Sequence, residues 1–391
     1  MTLHLEQIIN DIDRMSVALN ASERRIWLQE ARRLLRTHDR MRLDAKLEMH
    51  RREKGTTLAP EPLGELDERV AAPPAPYGYR VVAVDGSNIP PERDSPARYY
   101  LLNLGLVTLC YGDTSFAEID AWAQLYYQQA DLYWDEKRQQ PIDARRLSLL
   151  MRVEEIAALP DLAGQPAEPC VALVDGQLVM WGLQNETQDR WFLMERLLDA
   201  FERLREQRIP IVGYISDTES FELVNTLKIY LCPTTPDRCQ QCHSKGQREL
   251  ELCYHLNDFR DPALLFEFLE AGERSCCFAS QAEILKRYPE PHKIVYFYMS
   301  TGDEIARVEM PRWVADDPEL LDLVHGVLHD QCCRSGQLPP YPPILHEAHE
   351  AAVISTNDRE WVKQLIAERL QREGLTTFRP AKAYHKRLRG V

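Results

Sequence analysis

The sequence lacks an apolar run of the length that a membrane span needs, and its first residues carry neither a basic segment nor a cleavage site. We therefore expect a cytoplasmic protein that spans no membrane. The chain also lacks an excess of positive charge, since its formal net charge is −14. This charge argues against coating nucleic acid by bulk attraction. It does not exclude an enzyme that grips nucleic acid locally, because metal-binding carboxylates contribute to the negative total.

Internal repeats and low-complexity segments are absent too. With 391 residues, the chain is long enough for one large domain or two ordinary ones, and its core needs no disulfide bonds for stability. Residues 1–54 show apolar side chains at helical spacing among dense charge, which predicts a helical region. Basic residues cluster at 23–54 and 378–391, and either cluster could contact phosphates. A segment rich in proline and glycine at 55–79 predicts a linker before the main domain, 80–391.

The main domain has strands first and then strands alternating with helices, which predicts an α/β fold with a mixed sheet flanked by helices. We expect strands at 80–87, 98–112, 114–127, 170–183, 210–217, 292–301 and 305–314. We expect helices at 143–159, 189–209, 220–231 and 317–333, followed by a helical segment within 341–374.

Two apolar runs, VVAVDGSN at 81–88 and VALVDGQL at 171–178, each end in an Asp-Gly pair. One such pair alone is explained by a turn that ends the strand. Two adjacent strands ending in Asp85 and Asp175 would instead point both carboxylates into one crevice. Two like charges held so close favour a divalent cation between them, and oxygen ligands suit Mg²⁺ or Mn²⁺ better than zinc. A third acid is available on the helix at 143–159, but its apolar spacing does not choose between Glu154 and Glu155.

A pair of histidines follows two prolines in YPPILHEAHEAAVIS. His346 and His349 are spaced i and i+3, so they share a face if a helix begins here. This spacing does not match the HExxH pattern of zinc proteases. Acids and histidine together suit two-metal phosphoryl chemistry, in which one ion activates water and the other stabilises the leaving oxygen.

These motifs, in this order, resemble those of the NurA nuclease family: VVAVDGSN, the Arg-x-x-Glu of RVEEIAAL, VALVDGQL, VGYIS, ARVEMPRWV and YPPILHEAHEAAVIS. The resemblance runs from about residue 80 to the C-terminus. It implies an RNase H-like core and a Mn²⁺- or Mg²⁺-dependent DNA nuclease with 5′-to-3′ exonuclease and single-strand endonuclease activity. It also implies a dimer that acts in DNA end resection or repair with HerA, a hexameric ATPase that translocates DNA.

Position by position, the resemblance implies that Asp85 and Asp175 bind the metal, that Glu155 is the helical acid and that His349 is a ligand or a proton carrier. It aligns Tyr214 with the tyrosine after the fourth strand, where the ring would position a phosphate or stack on a base. The choice of Glu155 over Glu154, and of His349 over His346, rests on this resemblance alone.

A cysteine-bearing insertion at about 232–277 departs from the family pattern. Cys232, Cys239, Cys242 and Cys253, with His243 beside them, form a compact cluster in the sequence. Such a cluster could hold a structural Zn²⁺ or an iron-sulfur cluster, or it could consist of ordinary reduced thiols.

Two other functions compete with the nuclease. The chain could be a catalytically silent subunit that binds DNA ends or a partner protein, with the acids as relics. It could also be a different RNase H-like endonuclease, such as the effector of a defence system.

Overall fold

The computed structural model has one large mixed sheet with helices on both faces. It describes residues 5–18, 21–92, 95, 97–135, 140–184, 191–233, 248–336 and 338–375. Over these residues, no helix is long and apolar enough to cross a bilayer.

The strands are β1 (Glu61–Pro62), β2 (Arg69–Ala71), β3 (Arg80–Ile89), β4 (Tyr100–Cys110), β5 (Phe116–Tyr126), β6 (Tyr133–Asp135), β7 (Gln140–Pro141), β8 (Cys170–Asp175), β9 (Ile211–Ile215), β10 (Glu273–Ser275), β11 (Phe278–Ala279), β12 (Ile294–Ser300) and β13 (Ile305–Pro311). The helices are α1 (Leu5–Ala18), α2 (Ala21–Thr37), α3 (Arg40–Arg52), α4 (Gln129–Leu132), α5 (Ala144–Ala163), α6 (Trp191–Glu206), α7 (Glu222–Leu231), α8 (Arg248–His255), α9 (Asp261–Leu265), α10 (Arg312–Ala315), α11 (Pro318–Arg334), α12 (Pro343–Ala352) and α13 (Thr356–Arg372).

The middle of the sheet has the RNase H-like strand order. β3, β4 and β5 form an antiparallel meander, β8 lies parallel to β3 on its other side, and β9 lies parallel to β8. The sheet then continues through β13, β12, β11 and β1, all antiparallel to their neighbours. β10 pairs with both β12 and β2. The predicted mixed α/β fold is confirmed.

The central strands are continuous apolar runs because helices cover both faces of the sheet. Alternate residues of β3 point to opposite faces: Val82 and Val84 pack with α5 and α6, whereas Val81 and Ala83 pack with α11 and α12. α5 begins after Asp143, whose side chain accepts a hydrogen bond from the Arg146 amide at 2.9 Å. Its buried apolar side chains hold it against β3.

α12 crosses β3 and β4 at very short range because β4 has a glycine there. A Cβ atom at Gly105 would lie 2.3 Å from the Ala348 carbonyl oxygen and 2.6 Å from the Ala352 amide nitrogen. Gly105 is paired with Asp85 in the β3–β4 ladder. This close approach therefore carries α12 over the predicted site.

The N-terminal helices form a core of their own with the second half of the chain. Ala31 and Leu35 of α2 and Leu43 and Leu47 of α3 are buried in the same cluster as side chains of α7, α8 and α9. Arg32 anchors α2 further, because its guanidinium donates to the carbonyls of Leu264 (2.9 Å) and Ala263 (3.0 Å). The segment predicted to be a linker contributes β1 and β2, which pair with β11 and β10.

Candidate active site

Asp85 and Asp175 lie side by side on two neighbouring parallel strands. The last pair in the β3–β8 ladder is Ala83 with Leu173, so each aspartate stands two residues further on. Asp175 ends β8, as the Asp-Gly pair indicated, although the strand was predicted to run over 170–183. The prediction that β3 also ends at its aspartate was wrong, because β3 remains paired with β4 as far as Ile89. The opening beside Asp85 exists because β8 stops there, leaving a cavity of about 510 Å³ that both aspartates line.

Glu155 is the third acid of this cavity. It projects from α5 and is only 2% exposed. A Cβ atom at residue 86 would lie 2.6 Å from its Oε1 atom, so only glycine leaves room for this carboxylate against β3. Glu154 turns instead toward α6, where its Oε2 accepts from Arg196 Nη2 at 2.6 Å.

His349 reaches the same place from α12. Its Nδ1 lies 2.9 Å from Asp85 Oδ2, and its side chain is 62% exposed. Because a carboxylate only accepts, this contact requires a proton on Nδ1 and leaves Nε2 for other partners. No contact of His346 with these acids occurs among the described residues.

Tyr214 does not join the cavity. Its ring is fully buried on the side of α11, with its hydroxyl 3.8 Å from Cys332 Sγ. In this position it cannot stack on a base. Its ring packs edge-on against Tyr341, with centroids 5.6 Å apart.

Tyr341 is the site residue that the sequence reasoning missed. Its hydroxyl is hydrogen-bonded to Asp175, and this bond lowers the Asp175 pKa against the stronger effect of burial, which raises it. The signal was present, because Tyr341 opens the segment that contains His349. A tyrosine before two prolines is explained equally well as a packing residue, so the sequence alone does not single it out.

Burial also sets the charge state of Glu155. It raises the pKa of this carboxyl to about 7, with the neighbouring carboxylates of Asp85 and Asp175 acting in the same direction and Arg152 acting against it. Arg152 donates from Nη1 to Glu155 Oε2 at 2.9 Å and from Nη2 to the Gln177 carbonyl at 3.2 Å. One arginine therefore ties the helical acid to the loop after β8.

The chemistry of these donors fits a divalent cation. Carboxylates are the ligand type that Mn²⁺ and Mg²⁺ prefer, and after burial the nearby charge of Asp85 further raises the pKa of both Glu155 and Asp175. In the part of the chain that the structure describes, no three such side chains stand in a preformed ligand arrangement.

The cysteine prediction cannot be compared with the structure as a whole. Cys239, Cys242 and His243 lie outside the described residues. Cys232, just after α7, is buried, and Cys253 of α8 is half-buried. Zinc or iron-sulfur binding by this cluster stays a prediction.

The strand order and the acids at the opening beside β8 define an RNase H-like protein with a carboxylate cluster. The sequence profile of the NurA domain matches residues 79–354, well over half of the chain, so the protein belongs to the NurA family. A search of curated proteins found no match.

Two solved structures are distantly similar. One is NurA bound to dAMP and manganese, with 12% identity, 92% of this chain and 96% of that chain covered, and a TM-score of 0.35. The other is LC9-RNase H1, a type 1 RNase H with the type 2 active-site motif, with 8% identity, 39% and 69% coverage, and a TM-score of 0.22.

Proposed function

We propose that this protein is a metal-dependent DNA nuclease that hydrolyses phosphodiester bonds. The observation that carries the proposal is the meeting of Asp85, Asp175 and Glu155 in one cavity, although they come from three elements distant in sequence. Membership of the NurA family supports it. Buried acids with raised pKa values also occur at structural sites, but those are normally paired with a cation of the protein, and here Arg152 is shared between the carboxylates of Glu155 and Asp175.

We assign the chain's own groups as follows. Asp85, Asp175 and Glu155 would hold Mn²⁺ or Mg²⁺, which supplies Lewis acidity at the phosphodiester when bound. Arg152 fixes the orientation of Glu155, and Tyr341 fixes that of Asp175. Asp85 holds the Nδ1–H of His349, so the exposed Nε2 of His349 is placed to accept or return a proton.

The finer parts of the proposal rest on the family. We propose 5′-to-3′ exonuclease and single-strand endonuclease activity, in DNA end resection or repair with a HerA-type hexameric ATPase in the cytoplasm. We also propose a homodimer. The strand β5 supports the dimer, because it is an edge strand of eleven residues with exposed apolar side chains.

The decisive experiment is a cleavage assay on end-labelled single- and double-stranded DNA with Mn²⁺, Mg²⁺ or EDTA. We expect cleavage with either metal and none with EDTA. Asp85→Ala and Asp175→Ala should each lower the rate by at least about a hundredfold, because each removes a charged ligand. Asp303→Ala is the matched control, since this aspartate is exposed in the turn between β12 and β13. Metal-dependent cleavage by both cavity variants at the parent rate would refute the proposed site.

A further inference from the structure

The cavity is longer than the acid cluster. It runs along α5 from Glu155 past Ser148 to Arg145 and Arg146. Ten residues of α-helix separate Glu155 from Arg145, which corresponds to about 15 Å along the helix axis. The rise of a stacked strand is only about 3.4 Å per nucleotide, so the cavity extends well beyond one phosphodiester.

An aromatic side chain also lines this cavity. Trp181 lies on the short 3-10 helix Trp181–Leu183 that follows β8, and it is 38% exposed although its neighbours Met180 and Leu183 are buried. A partly exposed tryptophan that lines a cavity can present its apolar ring to a ligand.

The turn that carries Trp181 is held firmly. The Leu178 amide donates to buried Glu309 Oε2 at 2.8 Å, and the Met180 amide donates to the Tyr288 hydroxyl at 3.3 Å. A Cβ atom at Gly182 would lie 2.9 Å from Leu149 Cδ1, so the turn packs directly on α5. The backbone that carries Trp181 is therefore anchored against α5, the helix that also carries Arg145.

At the Arg145 end of the cavity, basic side chains outnumber acidic ones among the lining residues. Arg145 is exposed and has no ion-pair partner among the described residues. Arg146 lies 3.7 Å from Asp143 and its guanidinium stands over the Trp134 ring. In a chain of net charge −14, an arginine at the end of the cavity away from the carboxylates is suited to an anionic ligand.

We propose that the part of the cavity between Trp181 and Arg145 binds an unpaired nucleotide that flanks the scissile phosphodiester. The base stacks on Trp181 and its phosphate contacts Arg145. This inference rests on the proposed nuclease function and adds the residues that hold an unpaired base beside the cut. Base faces are open for stacking in single strands and frayed ends but covered inside a duplex. A volume of about 510 Å³ is in the range that a nucleotide-sized ligand occupies.

The test combines two deletions, one in the protein and one in the DNA. A single-stranded oligonucleotide cut at a mapped position is prepared with an abasic site at each position around the cut. Trp181→Ala should raise the KM for the intact strand about tenfold, as expected for the loss of one stacked base. Trp181→Phe should stay within about threefold of the parent, and Trp361→Ala, an exposed tryptophan of α13 outside the cavity, should match the parent.

At one position next to the cut, an abasic site should raise the KM of the parent by a similar factor. The same abasic site should leave the KM of Trp181→Ala unchanged, because the stacking contact is already lost. If the rise in KM caused by Trp181→Ala multiplies with the rise caused by the abasic site at every position, the inference is wrong. It is also wrong if Trp181→Ala leaves the KM of the intact strand unchanged.

The phosphate contact has its own readout. Removing Arg145 should lower the slope of log Kd against log salt for single-stranded DNA by about 0.7, the value for one phosphate contact. An unchanged slope in Arg145→Ala would refute that contact. If the parent neither binds nor cuts DNA, the proposed function fails together with this inference. If the parent cuts DNA and the Trp181 variants cut it with the parent KM, only this inference fails.

Discussion

Glu154 and Glu155 are chemically identical neighbours that the fold sends to different environments. Their sequence context could not distinguish them, because both have apolar residues at helical spacing. The distinction comes from Gly86 on β3, which leaves the space that Glu155 fills, and from Arg196 on α6, which binds Glu154. Neither partner is near in sequence, so only the folded chain makes this choice.

The burial of Glu155 predicts a pH dependence of stability in the absence of divalent cations. Its pKa is about 7 in the folded protein against 4.5 for the exposed group. Between these values the folded state binds more protons than the unfolded state, so the free energy of unfolding falls as the pH rises from about 4.5 to 7. The loss amounts to about 3 kcal/mol if the full shift is realised.

Glu155→Gln cannot ionise and should escape this loss. In urea denaturation with EDTA, we expect this variant to be more stable than the parent at pH 8 and about equally stable at pH 5. Glu154→Gln is the control, since it removes only an ion pair with Arg196 and should show no gain at pH 8. Parallel pH profiles for the parent and Glu155→Gln would contradict the prediction.

The two tyrosines at the site give a second prediction at this scale. Tyr341→Phe removes the hydroxyl that binds Asp175, and we expect cleavage and Mn²⁺ affinity to fall about tenfold or more, as for other groups that orient a metal ligand. Tyr214→Phe should change both by less than about threefold, because the hydroxyl of Tyr214 points to Cys332 on the far side of its ring. Titration calorimetry with Mn²⁺ separates the effect on affinity from the effect on rate. The reverse ranking would show that the alignment of Tyr214 with the family tyrosine was right.

At the scale of elements, most strands and helices were predictable because the central strands are apolar on both faces and α5 and α11 carry buried apolar stripes. The segment 170–183 is the informative exception. It was predicted as one strand, yet β8 ends at Asp175. The amides of Leu178 and Val179 donate to the Glu309 carboxylate rather than to a neighbouring strand. Glu309 is 130 residues away, so no local pattern could reveal it.

Glu309 should therefore be needed for the stability of the fold, and for activity because it holds the loop that follows Asp175. It is 1% exposed, and besides the two amides it binds Arg307, whose Nη2 lies 2.9 Å from Oε1. Glu309→Ala would leave a buried guanidinium and two buried amides short of an acceptor, which should lower the free energy of unfolding by about 3 kcal/mol. Glu283→Ala, which breaks an exposed pair with Lys286, should change it by less than about 0.5 kcal/mol. Equal losses in the two variants by urea denaturation would refute this role.

At the scale of the whole molecule, the order of helices and strands along the chain was easier to predict than the packing of the N-terminal region against the rest of the protein. The chain was predicted to divide into a helical region at 1–54, a linker at 55–79 and a main domain at 80–391, and that division stays a prediction. In the structure, α2 and α3 share a core with α7, α8 and α9, and β1 and β2 join the sheet. Strands of two or three residues show no periodicity, and their partners β11 and β10 are some 200 residues away, so their pairing could not be foreseen.

Strand β5 lies at an edge of the sheet and predicts how the whole molecule associates. Among the described residues, β5 pairs with β4 on one side and with no strand on the other, and its apolar side chains Phe116, Ile119, Trp122 and Leu125 are all exposed. Because an unpaired apolar edge attracts a further strand or surface, a second copy of the chain is the partner we propose for it.

Light scattering should give twice the chain mass for the parent. Replacing Ile119 and Trp122 together by lysine should give the mass of a single chain with an unchanged far-ultraviolet circular dichroism spectrum. Tyr254→Lys, at an exposed aromatic residue of α8, should leave the dimer intact. A parent protein that is monomeric at micromolar concentration, or a dimer that survives the double substitution, would show that β5 is not the interface.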